Sequence, residues 1–176
     1  EAGMRYGIRC VGTSAHAFTL LHDDERTAFD SQIASLGVGT TILVDTYDIA
    51  RGVQRAVDAA KAAGGTLGAV RLDSGDLVAE AFKVRAQLDS LGCPDTKIVV
   101  TSDLDEYAIA ALGAAPVDIY GVGTKLVTGS GVPTAALVYK MVERENSAGE
   151  MEKVAKKSSG GKSSVGGRKT AGRVII

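Results

Sequence analysis

The sequence predicts an α/β fold with a parallel sheet. Three observations carry this. Short apolar runs at residues 8–11, 41–45, 67–72, 97–101 and 117–121 recur at irregular intervals of about 20 to 35 residues. The first four are each followed by a polar turn and then a helical pattern, which is βα repetition. Every run also ends in polar residues, and in a parallel sheet those ends share one face.

Ile8-Arg9-Cys10-Val11 reads as the first strand, leading into Gly12-Thr13-Ser14-Ala15-His16. Phe18, Leu21, Phe29, Ile33 and Leu36 then fall at helical spacing. Thr13 or Ser14 is placed to cap that helix and Gly37 to end it. The second strand, 41–45, runs into Thr46-Tyr47-Asp48 and a helix over 49–63 with Val53 and Val57 inward, stopped by Gly64-Gly65. The third strand ends in Arg71-Leu72-Asp73-Ser74-Gly75-Asp76. Ser74 or Asp73 can cap the next helix, which carries Leu77, Val78, Phe82, Val84 and Leu88 and breaks at Gly92-Cys93-Pro94. The fourth strand ends at Ser102-Asp103, either of which can cap a short helix over 105–112. The fifth leads to Gly121-Val122-Gly123-Thr124. Two parts follow: 1–134 as the α/β domain, and 135–176 as a C-terminal segment. Within the latter, 135–143 is strand-like and 143–149 turn-like. The Gly-, Ser- and Lys-rich tail is either a small β-rich lobe, with Val165 and Val174-Ile175-Ile176 as apolar contacts, or a flexible surface segment.

A chain of 176 residues with 45% hydrophobic and 23% charged residues has the composition of a globular protein able to bury one core. No apolar run of about 18 residues suggests a membrane span. The net charge of −1 offers no general attraction for nucleic acid. That charge is uneven: from Met151 onward seven basic residues face one acid, a net of +6, leaving −7 on the first 150. The basic tail reads as solvated. Cys10 and Cys93, both beside apolar runs, read as buried thiols in a reducing compartment. The chain starts at Glu1, which reads as a fragment or processed piece.

The strand ends bring together a defined chemistry. Asp73 and Asp76 can accept from sugar hydroxyls or hold Mg²⁺ through waters, and Asp103 can do the same from the next strand. Arg71 offers a two-pronged donor to phosphate or carboxylate. Gly121, Gly123 and Thr124 offer backbone N–H groups and a hydroxyl to a monophosphate. His16 adds a group that titrates near neutral pH. Each has a plainer reading. A histidine at a helix start is often a capping or core residue, and Asp73 and Ser74 serve equally as caps. Two motifs fail. Leu126 takes the third glycine position of a dinucleotide fingerprint after Gly121 and Gly123. Gly161-Lys162-Ser163 looks like the end of a phosphate loop, but Lys156 stands where its first glycine belongs. His22 is assigned no role, and Met141, Phe18 and Phe29 read as core.

Five stretches in order, Gly12-Thr13-Ser14-Ala15-His16-Ala17-Phe18, Leu43-Val44-Asp45-Thr46-Tyr47-Asp48, Arg71 to Asp76, Ser102-Asp103-Leu104-Asp105 and Tyr120-Gly121-Val122-Gly123-Thr124, resemble nicotinate phosphoribosyltransferases over about residues 5–145. The resemblance implies an irregular, here partial, α/β barrel of the type II phosphoribosyltransferases. It also implies joining of nicotinate to phosphoribosyl pyrophosphate in NAD salvage, giving nicotinate mononucleotide and pyrophosphate. ATP hydrolysis would be coupled through a phosphohistidine at His16, with Mg²⁺. Asp73 and Arg71 would act with His16 at the reacting centre. Thr13, Thr46, Asp48, Ser74, Asp76, Ser102, Asp103, Gly121, Gly123 and Thr124 would bind substrate. A cytoplasmic protein is implied, working as a homodimer or with an N-terminal segment that supplies a stacking partner for the pyridine ring. A related transferase for nicotinamide or quinolinate, and a non-catalytic phosphate-binding barrel fragment, are the alternatives. The tail from Ser158 is richer in Gly and Ser than that family's closing segment.

Overall fold

The computed structural model describes residues 1–8, 11–129, 131, 134–158 and 161–172. Its main sheet has four parallel strands in chain order: β1 (Thr41–Leu43), β2 (Ala69–Leu72), β3 (Lys97–Val100) and β4 (Ile119–Tyr120). Three short helices are α1 (Ala2–Tyr6), α2 (His16–Leu21) and α7 (Thr124–Thr128). Helix α3 (Glu25–Leu36) precedes the sheet, and α4 (Ile49–Ala62), α5 (Leu77–Ser90) and α6 (Glu106–Leu112) connect successive strands. Neighbours pack in sequence, α2 on α3, α3 on α4 and α4 on α5. No described helix is long and apolar enough to cross a membrane.

Strand periodicity sorts the residues into two faces. Ile42, Val44, Val70, Leu72, Ile98 and Val100 join the helix-facing core with Val53, Val57, Val84 and Leu88. Helix α4 shows why it lies there. Val53, Ala56, Val57 and Ala60 recur at one helical face and are fully buried, each valine worth about 1.5–3 kcal/mol. Gly52 makes the approach possible: a Cβ there would come within 2.2 Å of the Val44 carbonyl oxygen. The other face carries Leu43, Arg71, Val99 and Ile119 in one register row. Two residues further along that face come Asp45, Asp73 and Thr101.

After the sheet, β5 (Glu143–Glu145) and β6 (Met151–Lys153) form an antiparallel hairpin. Its turn is closed by Asn146, whose Oδ1 accepts from the N–H groups of Ala148 (3.0 Å) and Glu150 (2.9 Å). Buried Arg144 ties the hairpin to the α2–α3 corner: Nη1 donates to Asp23 Oδ1 at 2.6 Å, and Nη2 pairs with Glu152.

Several expectations change. Of the predicted first strand, Arg9 and Cys10 lie outside the described residues, and Thr13 makes a single parallel bridge to Thr41. The predicted 18–36 helix is two helices, because Asp24 turns outward and caps α3, accepting from Thr27 N at 2.9 Å. Neither Thr13 nor Ser14 caps α2; Ala15 holds that position, and Ser14 Oγ donates to Gln32 Oε1 at 2.7 Å. Asp76, not Ser74 or Asp73, caps α5, and Asp105, not Ser102 or Asp103, caps α6. Val78 and Phe82 are 36% and 52% exposed, outside the α5 core. Residues 135–142 form no strand; pairing begins at Glu143. Val165 is 75% exposed, and Val174-Ile175-Ile176 lie outside the described residues. Cys93 is buried and Phe29 is core, as expected.

The tail is solvated only in part: Lys153, Lys157, Arg168 and Lys169 are exposed, as expected, but other residues are not. Lys156 and Ser158 are buried. The Lys157 N–H donates to the Thr46 carbonyl at 2.8 Å, and Ser158 Oγ donates to the Asp45 carbonyl. The chain past the hairpin therefore lies against the turn that follows β1.

Candidate active site

At the C-terminal ends of β1, β2 and β3 the polar residues converge. Asp45 is completely buried. Its Oδ2 accepts from the Asp73 N–H at 3.1 Å and from Ser74 Oγ, so one carboxylate organises the turn after β2. Its Oδ1 has no hydrogen-bond partner among the described residues. Asp73 is held from the other side, Oδ1 accepting from Thr101 Oγ1 at 2.5 Å. Gly121 lies beneath that threonine, where a Cβ would meet Thr101 Cγ2 at 2.5 Å.

His16 opens α2 and reaches over these carboxylates. Its Nδ1 hydrogen-bonds with Thr46 Oγ1 at 3.0 Å. Its Nε2 lies 3.7 Å from Asp73 Oδ2 and 3.9 Å from Asp45 Oδ1 and, although buried, has no hydrogen-bond partner among the described residues. Burial alone would raise the Asp73 carboxyl. The His16 ring, the Thr101 hydroxyl and the charges of Lys162 and Arg71 together hold it well below the usual carboxylate range. Arg71 projects from the non-helical face of β2. Burial lowers the pKa of its guanidinium against the pull of Asp73 and Asp45, and its Nε has no partner among the described residues.

Lys162 completes the centre from the tail. Its Nζ donates to the Asp73 carbonyl (2.9 Å) and to Ser102 Oγ (2.7 Å), and lies 3.9 Å from Asp73 Oδ2. The receiving turn is strained: Ser102 has φ 113° and Asp103 φ 51°. His16, Asp73, Ser102, Asp103, Lys156 and Lys162 line a cleft of about 550 Å³. A neighbouring cleft of about 400 Å³ shares Asp103 and is lined by Thr124, the first residue of α7 after Gly123. A larger cavity, about 880 Å³, lies between the hairpin and residues 163–169 and contains no histidine or aspartate.

The predicted site residues are thus only partly brought together, Thr124 lining the neighbouring cleft with Gly123 before it. His16, Thr46, Arg71, Asp73, Ser74 and Ser102 meet around Asp45, with Asp103 and Gly121 at the edge. Thr13 sits beside β1 with its hydroxyl buried and unpartnered among the described residues. Asp48 and Asp76 are exposed and spend their carboxylates on capping α4 and α5. Asp45, Lys156 and Lys162 are the additions. Asp45 could have been found by strand parity, since it shares a face with Asp73. Nothing local to the tail lysines points to their position, apart from the phosphate-loop-like Gly161-Lys162-Ser163. Among the described residues no group of three or more His, Cys, Asp or Glu is arranged to hold a metal ion.

No protein-family model matches the chain. A nicotinate phosphoribosyltransferase of Mycobacterium tuberculosis is 53% identical over 178 residues, covering 97% of this chain and 38% of that protein. One of Bacillus subtilis is 40% identical over 180 residues, covering 99% of this chain and 36% of that protein. The crystal structure of nicotinate phosphoribosyltransferase from Porphyromonas gingivalis superposes with a TM-score of 0.72 over 93% of this chain and 46% of that one. At 21% identity that match is a likeness of fold. The chain belongs to the nicotinate phosphoribosyltransferase family, spanning less than two fifths of the length of the curated relatives it matches.

Proposed function

We propose that this chain carries the reacting centre of a nicotinate phosphoribosyltransferase, joining nicotinate to phosphoribosyl pyrophosphate with release of pyrophosphate and coupled ATP hydrolysis. The observation that carries the reading is the convergence of His16 Nε2 on Asp45 and Asp73 at the strand ends. Departure of pyrophosphate leaves cationic character on the ribose. A carboxylate held ionised by its surroundings, as Asp73 is, stabilises that charge. Arg71, half-buried and with its Nε lacking an acceptor among the described residues, suits the nicotinate carboxylate.

For the ATP-coupled step, Nδ1 is tied to Thr46, which leaves Nε2 as the nucleophilic atom. Its bond to the terminal phosphorus of ATP forms as the phosphoanhydride bond breaks and ADP leaves with the electron pair. In the tautomer whose Nδ1–H donates to Thr46 Oγ1, Nε2 carries the lone pair that attacks, so no proton has to leave it, and the Asp45 and Asp73 carboxylates beside it offset the positive charge the phosphorylated ring acquires. Water later cleaves the N–P bond, releasing phosphate. The described residues do not form a metal-binding set by themselves, so Mg²⁺ would arrive bound to the diphosphate groups of the substrates and neutralise their charge.

Strands in chain order with a helix between each pair support a sheet that curves as part of an irregular α/β barrel. A break near residue 134, a homodimer or association with further protein segments, and a cytoplasmic location belong to the same reading. The experiment is His16→Asn in the protein carrying this chain. ATP stimulation of nicotinate mononucleotide formation should vanish; unchanged stimulation refutes the role given to His16.

A further inference from the structure

A buried amide on α3 joins the loop before His16 to the edge of the sheet. Gln32 is 4% exposed and lies one turn after Ala28 and Phe29, on the buried face of the helix. Its Nε2 donates to Thr40 Oγ1 at 2.9 Å and to the Thr41 carbonyl at 2.7 Å. A carbonyl only accepts, so that contact fixes which end of the amide faces the strand. Oε1 is therefore turned toward the loop, where it accepts from Ser14 Oγ at 2.7 Å. An apolar residue would fill this helix position without the cost of burying an amide, so the amide is explained by its partners. Ser14 stands two residues before His16. Ala15 has no side-chain group with which to cap α2, and the loop meets the sheet at a single bridge, Thr13 to Thr41. The resulting stand-off of the ring has a chemical consequence. His16 Nε2 stops 3.7 Å from Asp73 Oδ2 and 3.9 Å from Asp45 Oδ1, beyond hydrogen-bond distance. About 1 Å closer, a carboxylate would accept from Nε2–H and hold the ring in the tautomer that has no lone pair there.

We propose that Gln32 is a positioning residue: through Ser14 it holds the His16 loop so that Nε2 stands clear of both carboxylates and keeps its lone pair. Thr46 Oγ1 can accept or donate, so its contact with Nδ1 does not select the tautomer by itself. The effect on ATP-coupled phosphoryl transfer rests on the proposed function; the placing of the ring does not.

The first test reads the tautomer from the ring-nitrogen NMR shifts of this chain, whose only histidines are His16 and His22, at a pH where both rings are neutral. His22 is an internal reference, because its Nδ1 lies 2.8 Å from the Phe18 carbonyl and must carry the proton. The parent should show Nδ1–H at His16. Ser14→Ala removes the link to the loop and leaves the Gln32 bonds to Thr40 and Thr41 in place. It should move His16 toward Nε2–H and leave His22 unmoved, whereas Ser14→Thr, which keeps a hydroxyl, should hold the parent tautomer. Gln32→Met should behave as Ser14→Ala does; where it fails to fold, the two Ser14 variants carry the test. The second test is kinetic, in the protein carrying this chain. Ser14→Ala should lower ATP stimulation of nicotinate mononucleotide formation by about tenfold, with the KM for nicotinate within about twofold of the parent. An Nε2–H tautomer in the parent, an unchanged tautomer in folded Ser14→Ala, or full ATP stimulation in that variant overturns the proposal. A tautomer that shifts as expected, in a protein whose parent form shows no ATP stimulation, sinks the proposed function and leaves the positioning role standing.

Discussion

Asp73→Asn removes a charge while keeping the shape of the side chain. Asn can still accept from Thr101 at Oδ1, so the geometry of the turn should survive. What disappears is a negative charge 3.7 Å from His16 Nε2 and 3.9 Å from Lys162 Nζ, in a half-buried site. Two unit charges about 4 Å apart at an effective dielectric of about 20 interact by about 4 kcal/mol. A ribose with partial positive charge would lose part of that, so turnover should fall by about 10² to 10³. Stability carries a second signature. The folded carboxyl is held below its ordinary value, so its contribution is complete above the unfolded pKa of about 4 and is lost as pH falls through the folded pKa. Urea titrations of the two proteins should therefore differ at about pH 7 by an amount on the order of 2 kcal/mol, and the difference should begin to shrink below about pH 4 and keep shrinking on further acidification. Steady-state kinetics in the protein carrying this chain reads the first effect and urea titration of the chain reads the second. Turnover within about threefold of the parent refutes the electrostatic role. A stability difference that does not shrink on acidification refutes the ion-pair account of Asp73.

Three further outcomes follow from the packing and charge. Gly52→Ala should destabilise the chain by about 3 kcal/mol or more in urea denaturation, because its Cβ meets the Val44 carbonyl at 2.2 Å and must push α4 off β1. Lys156→Met should raise the melting temperature of the ligand-free chain at about pH 7.5 by a few degrees. Burial lowers the pKa of Lys156 in the fold, so the unfolded chain binds the extra proton. The parent should therefore regain stability relative to the variant as pH rises toward about 10.5. Arg144→Met cuts the links to Asp23 and Glu152, so limited proteolysis should cleave around the hairpin well before the sheet is attacked.

Much of the α/β pattern was legible because its signals are local. Val53 and Val57 mark the buried face of α4, and Gly37 and the Gly64-Gly65 pair stop their helices where the spacing says they should. Capping was misplaced wherever several carboxylates and hydroxyls stood in a row. Asp73 and Ser74 are locally as good as Asp76, and only the contacts with Thr101 and Asp45 draw them away from the helix. Asp24 hid inside an apolar spacing that runs on through the break. Asp45 shares a strand face with Asp73, yet its role depends on a partner 28 residues away. The tail lysines could not be placed from sequence. Lys162 meets Asp73 across 89 residues, and composition alone favoured solvent for a Gly-, Ser- and Lys-rich stretch.

The central claim is phosphoribosyl transfer to nicotinate at the His16–Asp45–Asp73 centre. Its most direct measurement is product formation from phosphoribosyl pyrophosphate with nicotinate, nicotinamide or quinolinate offered in parallel to the protein carrying this chain. The account predicts nicotinate mononucleotide as the main product, formed faster with ATP and lost in Asp73→Asn. Equal or greater turnover of nicotinamide or quinolinate, or nicotinate turnover indifferent to Asp73, would contradict it.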